Sequence, residues 1–173
     1  MLLAIYLALS ALTIRITPNL VVTFTALTII IASVMFGWLD ALIIAFIGSF
    51  FSQLTSTYGL SITTPLWMAP PIVRALLFGI TYDVLLKKGI RLEDKKVWFF
   101  VVAIIVGLIV TLLNTGAIYL DAIIFEYPVS LAIVESIFRF VSSILSSIVC
   151  AVIALPALAA LKKGGFNRKR YQN

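Results

Sequence analysis

The sequence predicts an all-α membrane protein, a bundle of six transmembrane helices whose N- and C-termini are both cytoplasmic. Of its 173 residues, 62% are hydrophobic, and the mean hydropathy is +1.17. This composition leaves too little polar surface for a soluble globule. The apolar runs are long and continuous, and a helix of about 20 residues crosses a bilayer core of about 30 Å. They lack the alternation of apolar and polar residues that is typical of a membrane β-barrel.

Prolines, glycines and polar residues divide the chain into six apolar segments. Pro18 suits the first turn of a helix, Gly37 separates two apolar runs, and Thr55–Pro65 is rich in turn-forming residues. Lys87–Lys96 is a basic connection, and we expect the Asp121–Glu126 loop at the outer face before Pro128. With these breaks we expect one domain over residues 1–173, with helices at about residues 2–14, 19–35, 38–54, 65–86, 97–120 and 128–161.

The basic residues orient the bundle. Ten of the 13 lysines and arginines lie in Lys87–Lys96 and Lys162–Arg170, whereas the expected loops 55–64 and 115–127 carry none. By the positive-inside rule, both basic segments and both termini face the cytoplasm of a multi-pass cell-membrane protein. Because the basic residues flank apolar segments, we expect them to meet membrane lipid and not nucleic acid.

The residues that support metal or hydrolytic chemistry are scarce. The chain has no histidine and a single cysteine, Cys150, which its apolar surroundings indicate to be a small buried hydrophobe. Without the usual ligands, we expect no metal site. The sequence also has no Gly-x-Ser-x-Gly motif and no pair of aspartates at helical spacing, so we do not expect an enzyme.

Two arginines fall inside predicted helices. Arg74 lies nine residues after Pro65 and Arg139 eleven after Pro128, so each is about 14 to 16 Å below the outer face. A charge at this depth is costly and should face the bundle interior. Glu135 lies one turn before Arg139. It either forms an ion pair with Arg139 and braces the helix, or Arg139 contacts a ligand instead. Arg74 has no such acid, so its counter-charge must come from another helix or from a bound anion.

A polar layer near the outer face completes the candidate binding site. Pro70 and Pro71 release backbone carbonyls that lipid cannot satisfy, so we expect their segment to line a cavity. Arg15 either snorkels from a short first helix or overhangs that cavity. The candidate substrate-binding residues are Arg74, Trp67, Asn114, Arg139, Asn19, Tyr58, Thr64 and Arg15.

Six spans with cytoplasmic ends, the stretch Ala4-Ile-Tyr-Leu-Ala8 and an outer cavity roofed by three loops resemble the substrate-capture subunit (S-component) of energy-coupling factor (ECF) vitamin transporters. The resemblance covers nearly the whole chain. It implies that Ala4 and Ala8 dock on a coupling transmembrane subunit, and that a vitamin binds under the outer loops in a prokaryotic cell membrane. It also implies two cytoplasmic ATPase subunits. Because the chain has no phosphate-binding glycine loop, we expect it to hold no cofactor and its partners to use the ATP.

The unpaired arginine suggests an anionic vitamin, because a guanidinium binds carboxylate or phosphate in bidentate geometry. Trp67, Tyr58 and Tyr119 can stack on a ring, but this is less aromatic than we expect for a flavin site. Pantothenate is therefore the first candidate and folate the second.

The alternative function is a stand-alone, ion-coupled secondary transporter of a small anionic metabolite. Glu126 and Glu135 are its candidate ion-coupling residues. Six helices without a detectable internal repeat argue against it, because many carriers of this kind are built from repeats.

Overall fold

The structure, a computed structural model, describes residues 1–12, 14–15, 21–56, 59–126 and 129–165, without the side chains of residues 14, 15, 21, 22 and 129–135. This part of the chain forms six α-helices, two short strands and a 3-10 turn. The helices are α1 (Leu2–Ala11), α2 (Thr25–Met35), α3 (Trp38–Leu54), α4 (Thr64–Lys87), α5 (Lys96–Ile124) and α6 (Val129–Lys163). Strands β1 (Ile14–Arg15) and β2 (Val21–Val22) pair antiparallel, and the 3-10 turn is Leu92–Asp94.

The helices differ in length. Within the described residues, α4, α5 and the part of α6 from Ser136 to Lys163 are long and apolar enough to cross a membrane. Helices α1, α2 and α3 are apolar but have only 10, 11 and 17 residues. At 1.5 Å per residue, α1 and α2 are about 15 to 17 Å long, roughly half of the hydrocarbon core. The described part of this membrane protein therefore has three long and three short helices.

The largest departure from the predicted helices lies between α1 and α2. Helix α1 ends at Ala11 instead of residue 14, and α2 begins at Thr25 instead of residue 19. The reason is the strand pair, because Ile14 pairs with Val22 and Arg15 with Val21. β-branched side chains favour this extended backbone. The other helices begin and end within four residues of the predicted bounds.

Helix α2 is the centre of the bundle. It packs against α1, α3, α4 and α6, and nine of its 11 residues are buried. A helix that is apolar on all sides is stable only when its neighbours enclose it. Small residues also permit close approach between α1 and α3 and between α5 and α6. A Cβ atom at Gly48 would overlap the Tyr6 ring, and one at Gly107 would overlap the Ser147 side chain.

The two basic segments meet at one end of the bundle, which we call the basic end. Lys162 in the last turn of α6 forms an ion pair with Glu93 in the 3-10 turn. The Tyr82 hydroxyl of α4 donates a hydrogen bond to Glu93 Oε2 at 2.9 Å. Burial raises the pKa of Glu93, but hydrogen bonds from Lys162, from the backbone and from Tyr82 outweigh it, so the pKa lies below its usual value. This Glu93 cluster ties the ends of α4 and α6 together.

Candidate functional site

Arg74 lies near the middle of α4 and points into the bundle. It is ten residues after Thr64 and 13 before Lys87, or about 15 Å and 20 Å along the helix axis. An internal cavity beside it is lined by residues of α2, α4, α5 and α6: Ala26, Ile30, Phe78, Ala103, Val106, Ser147 and Cys150. Arg74 thus faces the interior, as predicted from the cost of a charge in lipid.

The surroundings of Arg74 are mostly apolar and hold no described acidic side chain. Among the described side chains, no carboxylate lies within 4.0 Å of its guanidinium. Ser147 and Cys150 of α6 line the cavity beside it and are the polar or sulfur-bearing side chains there. A guanidinium has five N–H donors and no acceptor. The site therefore offers strong donors to a carbonyl, hydroxyl or carboxylate oxygen of a ligand.

The cavity at Arg74 is the floor of a site and not a complete pocket. Its volume is about 10 Å³, enough for one water molecule, whereas pockets for small organic ligands measure about 300 to 1,000 Å³. On the side toward the basic end, Phe78 and Phe99 pack edge to face with their ring centroids 5.8 Å apart. A ligand larger than this cavity could therefore reach Arg74 only from the other side, toward the loop that joins α3 to α4.

Trp67 and Asn114 lie on that side. Trp67 is seven residues before Arg74, which places it on the same face of α4 and about 10 Å closer to the loops. Asn114 is eight residues after Val106, about 12 Å in the same direction, and the next residue on its face of α5, Ala117, is buried. Both candidate side chains are half-buried. They can therefore form walls above the Arg74 floor.

Two prolines lie in α4 between Trp67 and Arg74. Pro70 and Pro71 do not interrupt the helix, which continues from Thr64 to Lys87. Because proline lacks an N–H group, the carbonyls of residues 66 and 67 lose their helical donors. Such carbonyls are tolerated at membrane depth where they face a cavity or other protein groups. These two carbonyls can therefore accept hydrogen bonds from groups outside α4.

The remaining predicted residues have different environments. Thr64 is buried, and its Oγ1 accepts a hydrogen bond from the Ser61 backbone N–H at 2.8 Å, so it helps to hold the loop before α4. Arg139 is half-buried on α6 and interacts with other groups of the protein. The side chain of its predicted partner, Glu135, lies outside the described part.

Three further candidates stay predictions. Asn19 and Tyr58 lie outside the described residues, and Arg15 is described only as backbone, in β1. The structure thus places Arg74 beside the cavity and Trp67 on the same face of α4, whereas Asn114 is half-buried on α5 and its role stays a prediction.

Sequence reasoning missed Tyr6 and Thr25. Tyr6 is 3% exposed, and its ring packs on Gly48 of α3. Thr25 is buried at the start of α2, and its Oγ1 lies 3.2 Å from Thr23 Oγ1. Both residues place polar groups inside the bundle. The available signal was a tyrosine in an otherwise apolar helix, because a buried tyrosine hydroxyl usually needs a partner.

Ala4 and Ala8 lie on the side of α1 that is opposite Tyr6. Both are exposed, as is Ala11. This stripe of small residues faces away from the bundle, so the protein itself leaves it uncovered.

A helical bundle that holds a cation and polar groups at membrane depth is the kind of structure that membrane transport proteins use to bind substrate. The sequence matches the model of the family described as the S component of the ECF-type riboflavin transporter over residues 1–163. The chain therefore belongs to this family, and the resemblance to ECF S-components is confirmed. The family is one of transporters and not of enzymes. No curated protein matches the chain.

Proposed function

We propose that this chain captures riboflavin at the outer face of a prokaryotic cell membrane and delivers it to the cytoplasm. A coupling transmembrane subunit and two cytoplasmic ATPase subunits would work with it, and ATP would be used by those partners. The observation that carries the proposal is the family match over residues 1–163. The donor-rich floor at Arg74 supports it.

Riboflavin takes the place of pantothenate and folate as the vitamin to test. It is neutral at pH 7, so the argument from an anionic ligand does not apply to it. Its ring carbonyls and ribityl hydroxyls nevertheless accept hydrogen bonds, and a hydrogen bond to a charged donor contributes about 1.5 to 3 kcal/mol. Trp67 can stack on its ring. The N–H donors of Arg74 at the floor of the site thus compensate for the small number of aromatic side chains.

The proposed topology has six membrane crossings and two cytoplasmic termini, with the basic end at the inner face. Helices α1 and α2 cover only about half of the hydrocarbon core. Part of the chain between them then lies at membrane depth, and irregular backbone is tolerated there where it lines a cavity. This arrangement supports vitamin binding in the outer half of the bundle, above Arg74.

Riboflavin binding by the isolated subunit tests the proposal directly. Riboflavin fluorescence should be quenched saturably when the purified wild-type chain is titrated in detergent. Pantothenate and folate should not compete. Competition by pantothenate, or no saturable flavin binding, would contradict the vitamin assignment.

Ala4 and Ala8 are proposed as the docking face because they are exposed and small residues four apart permit close helix contact. Ala8→Trp should abolish riboflavin uptake by vesicles that contain the full transporter, while the isolated variant still binds riboflavin. Ala159→Trp, at an exposed alanine of α6, is the matched control and should transport normally. Uptake by the wild-type chain alone, driven by an ion gradient in proteoliposomes, would favour the stand-alone carrier instead.

A further inference from the structure

The basic end carries more cations than its own acids neutralise. Lys162 pairs with Glu93, but the other basic side chains there are exposed, and none of them forms an ion pair or side-chain hydrogen bond within the described part of the chain. These side chains are Lys87, Lys88, Arg91, Lys95, Lys96 and Lys163. The basic end therefore presents uncompensated positive charge to its surroundings.

The segment that carries these cations is firmly attached to the bundle. Leu92 is fully buried in the core, and its neighbour Glu93 is held in the Glu93 cluster. The Lys95 N–H donates a hydrogen bond to the Leu92 carbonyl at 3.1 Å. A surface that is ordered before a ligand arrives loses little conformational entropy when the ligand binds. Arg91 and Lys95, on either side of these anchors, are therefore held in place for a ligand.

Exposed apolar side chains lie directly beside the cations. Val97 and Trp98 are 74% and 61% exposed, and they follow Lys96 in the first turn of α5. Tryptophan is enriched where a membrane meets water. A phospholipid matches both features, because its phosphate can face the cations while its apolar part contacts Trp98. An acidic protein surface would match the cations alone.

The opposite end of the bundle has a different charge. Residues 59–64 and 115–126 contain no lysine or arginine, and the second range includes the acidic residues Asp121 and Glu126. Attraction to an anionic membrane surface is therefore confined to the basic end.

We propose that Lys88, Arg91, Lys95 and Trp98 form a surface that binds the headgroup of an anionic phospholipid and so holds the basic end at one leaflet. Each basic residue near an anionic membrane surface strengthens binding by about fivefold. The inference goes beyond vitamin capture, because it requires only that the chain lies in a membrane and not that it binds riboflavin.

Quenching of Trp98 by brominated lipids tests the proposal. The chain is reconstituted in phosphatidylcholine vesicles that contain dibrominated phosphatidylglycerol or, in a parallel series, dibrominated phosphatidylcholine. The difference between wild type and Trp98→Phe isolates the signal of Trp98. We expect phosphatidylglycerol to bind beside Trp98 at least about fivefold more tightly than phosphatidylcholine.

A triple variant identifies the cations. Combining Lys88→Gln, Arg91→Gln and Lys95→Gln should lower the preference for phosphatidylglycerol by at least about fivefold. Its melting temperature in detergent should not change, because these side chains are exposed and make no described ion pair. The matched control combines Lys88→Arg, Arg91→Lys and Lys95→Arg. It keeps the three charges and should retain the wild-type preference.

Two further measurements test the electrostatic origin of the preference. Asp94→Asn removes an exposed carboxylate between Arg91 and Lys95 and should increase the preference for phosphatidylglycerol. Raising the salt concentration from about 0.1 M to about 1 M shortens the Debye length from about 10 Å to about 3 Å and should decrease it.

Three results would overturn the inference. They are equal quenching of Trp98 by the two brominated lipids, an unchanged preference in the triple glutamine variant, and loss of association with the partner subunits by that variant while its lipid preference stays the same. The last result would identify an acidic protein as the ligand of this surface. Riboflavin binding in detergent is measured separately, so a chain that prefers phosphatidylglycerol but does not bind riboflavin contradicts only the proposed function.

Discussion

Glu93 at the basic end and Arg74 inside the bundle both carry a charge that is largely withdrawn from water, and the fold treats the two charges in opposite ways. The Glu93 side chain at the basic end is 7% exposed, pairs with Lys162 and accepts a hydrogen bond from Tyr82. Arg74 lies in the middle of the bundle, with no described carboxylate within 4.0 Å. Desolvating an ion costs several kcal/mol unless partners compensate. A compensated charge is therefore structural, whereas a charge without an acidic partner at membrane depth indicates a functional site.

The largest expected effect is on ligand affinity. Arg74→Met replaces the guanidinium with an apolar side chain of similar length. Riboflavin binding should weaken by about 1.5 to 3 kcal/mol, or roughly 10- to 150-fold in Kd, the contribution of a charge-assisted hydrogen bond. The melting temperature in detergent should not fall, because no ion pair is broken. Unchanged affinity with lower stability would make Arg74 a structural charge like Glu93.

Glu93→Gln should lower stability and leave riboflavin affinity unchanged, the opposite of Arg74→Met. Lys162, whose side chain is 28% exposed, keeps a hydrogen-bond acceptor but loses its counter-charge. We expect a loss of about 1.5 kcal/mol in the free energy of unfolding, seen as a lower melting temperature, and a wild-type riboflavin Kd. Asp94→Asn changes an exposed neighbouring carboxylate and should have little effect on either quantity. Weaker riboflavin binding by Glu93→Gln would show that the basic end also shapes the site.

The pH dependence of stability follows from the lowered pKa of Glu93. The folded state binds this proton more weakly than the unfolded chain, so the Glu93 cluster stabilises the fold above the usual glutamate pKa of about 4.3. As the pH falls through that value and then through the lower folded pKa, the stabilisation is lost. The difference in melting temperature between wild type and Glu93→Gln should be constant near neutral pH and shrink below about pH 4.3. A difference independent of pH would mean that the charge of Glu93 does not stabilise the fold.

The charge pattern and the long helices could be predicted from the sequence because they depend on local composition. Helices α3 to α6 follow from continuous apolar runs, and the meeting of the basic segments follows from the positive-inside rule. The interior position of Arg74 follows from the cost of a charge in lipid. Each of these inferences needs only the residue and its own helix.

The parts that could not be predicted depend on contacts between helices. The late start of α2 results from pairing of Val21–Val22 with Ile14–Arg15. Tyr6 lies in a helix that is apolar on every side, so no periodicity marks its inner face. Its position is determined by Gly48 of α3. The surroundings of Arg74 likewise come from α2, α5 and α6 and are visible only in three dimensions.

Tyr82→Phe should have the smallest effect, and it is the sharpest test of the contrast between Glu93 and Arg74. Tyr82 lies eight residues after Arg74 on the same helix, and its hydroxyl donates to Glu93 at 2.9 Å. Because the Glu93–Lys162 pair remains, we expect a loss of about 1 kcal/mol or less in the free energy of unfolding. The riboflavin Kd should not change. If this conservative change at the basic end altered riboflavin affinity, α4 would transmit strain from the Glu93 cluster to Arg74, and the two charges would belong to one coupled system.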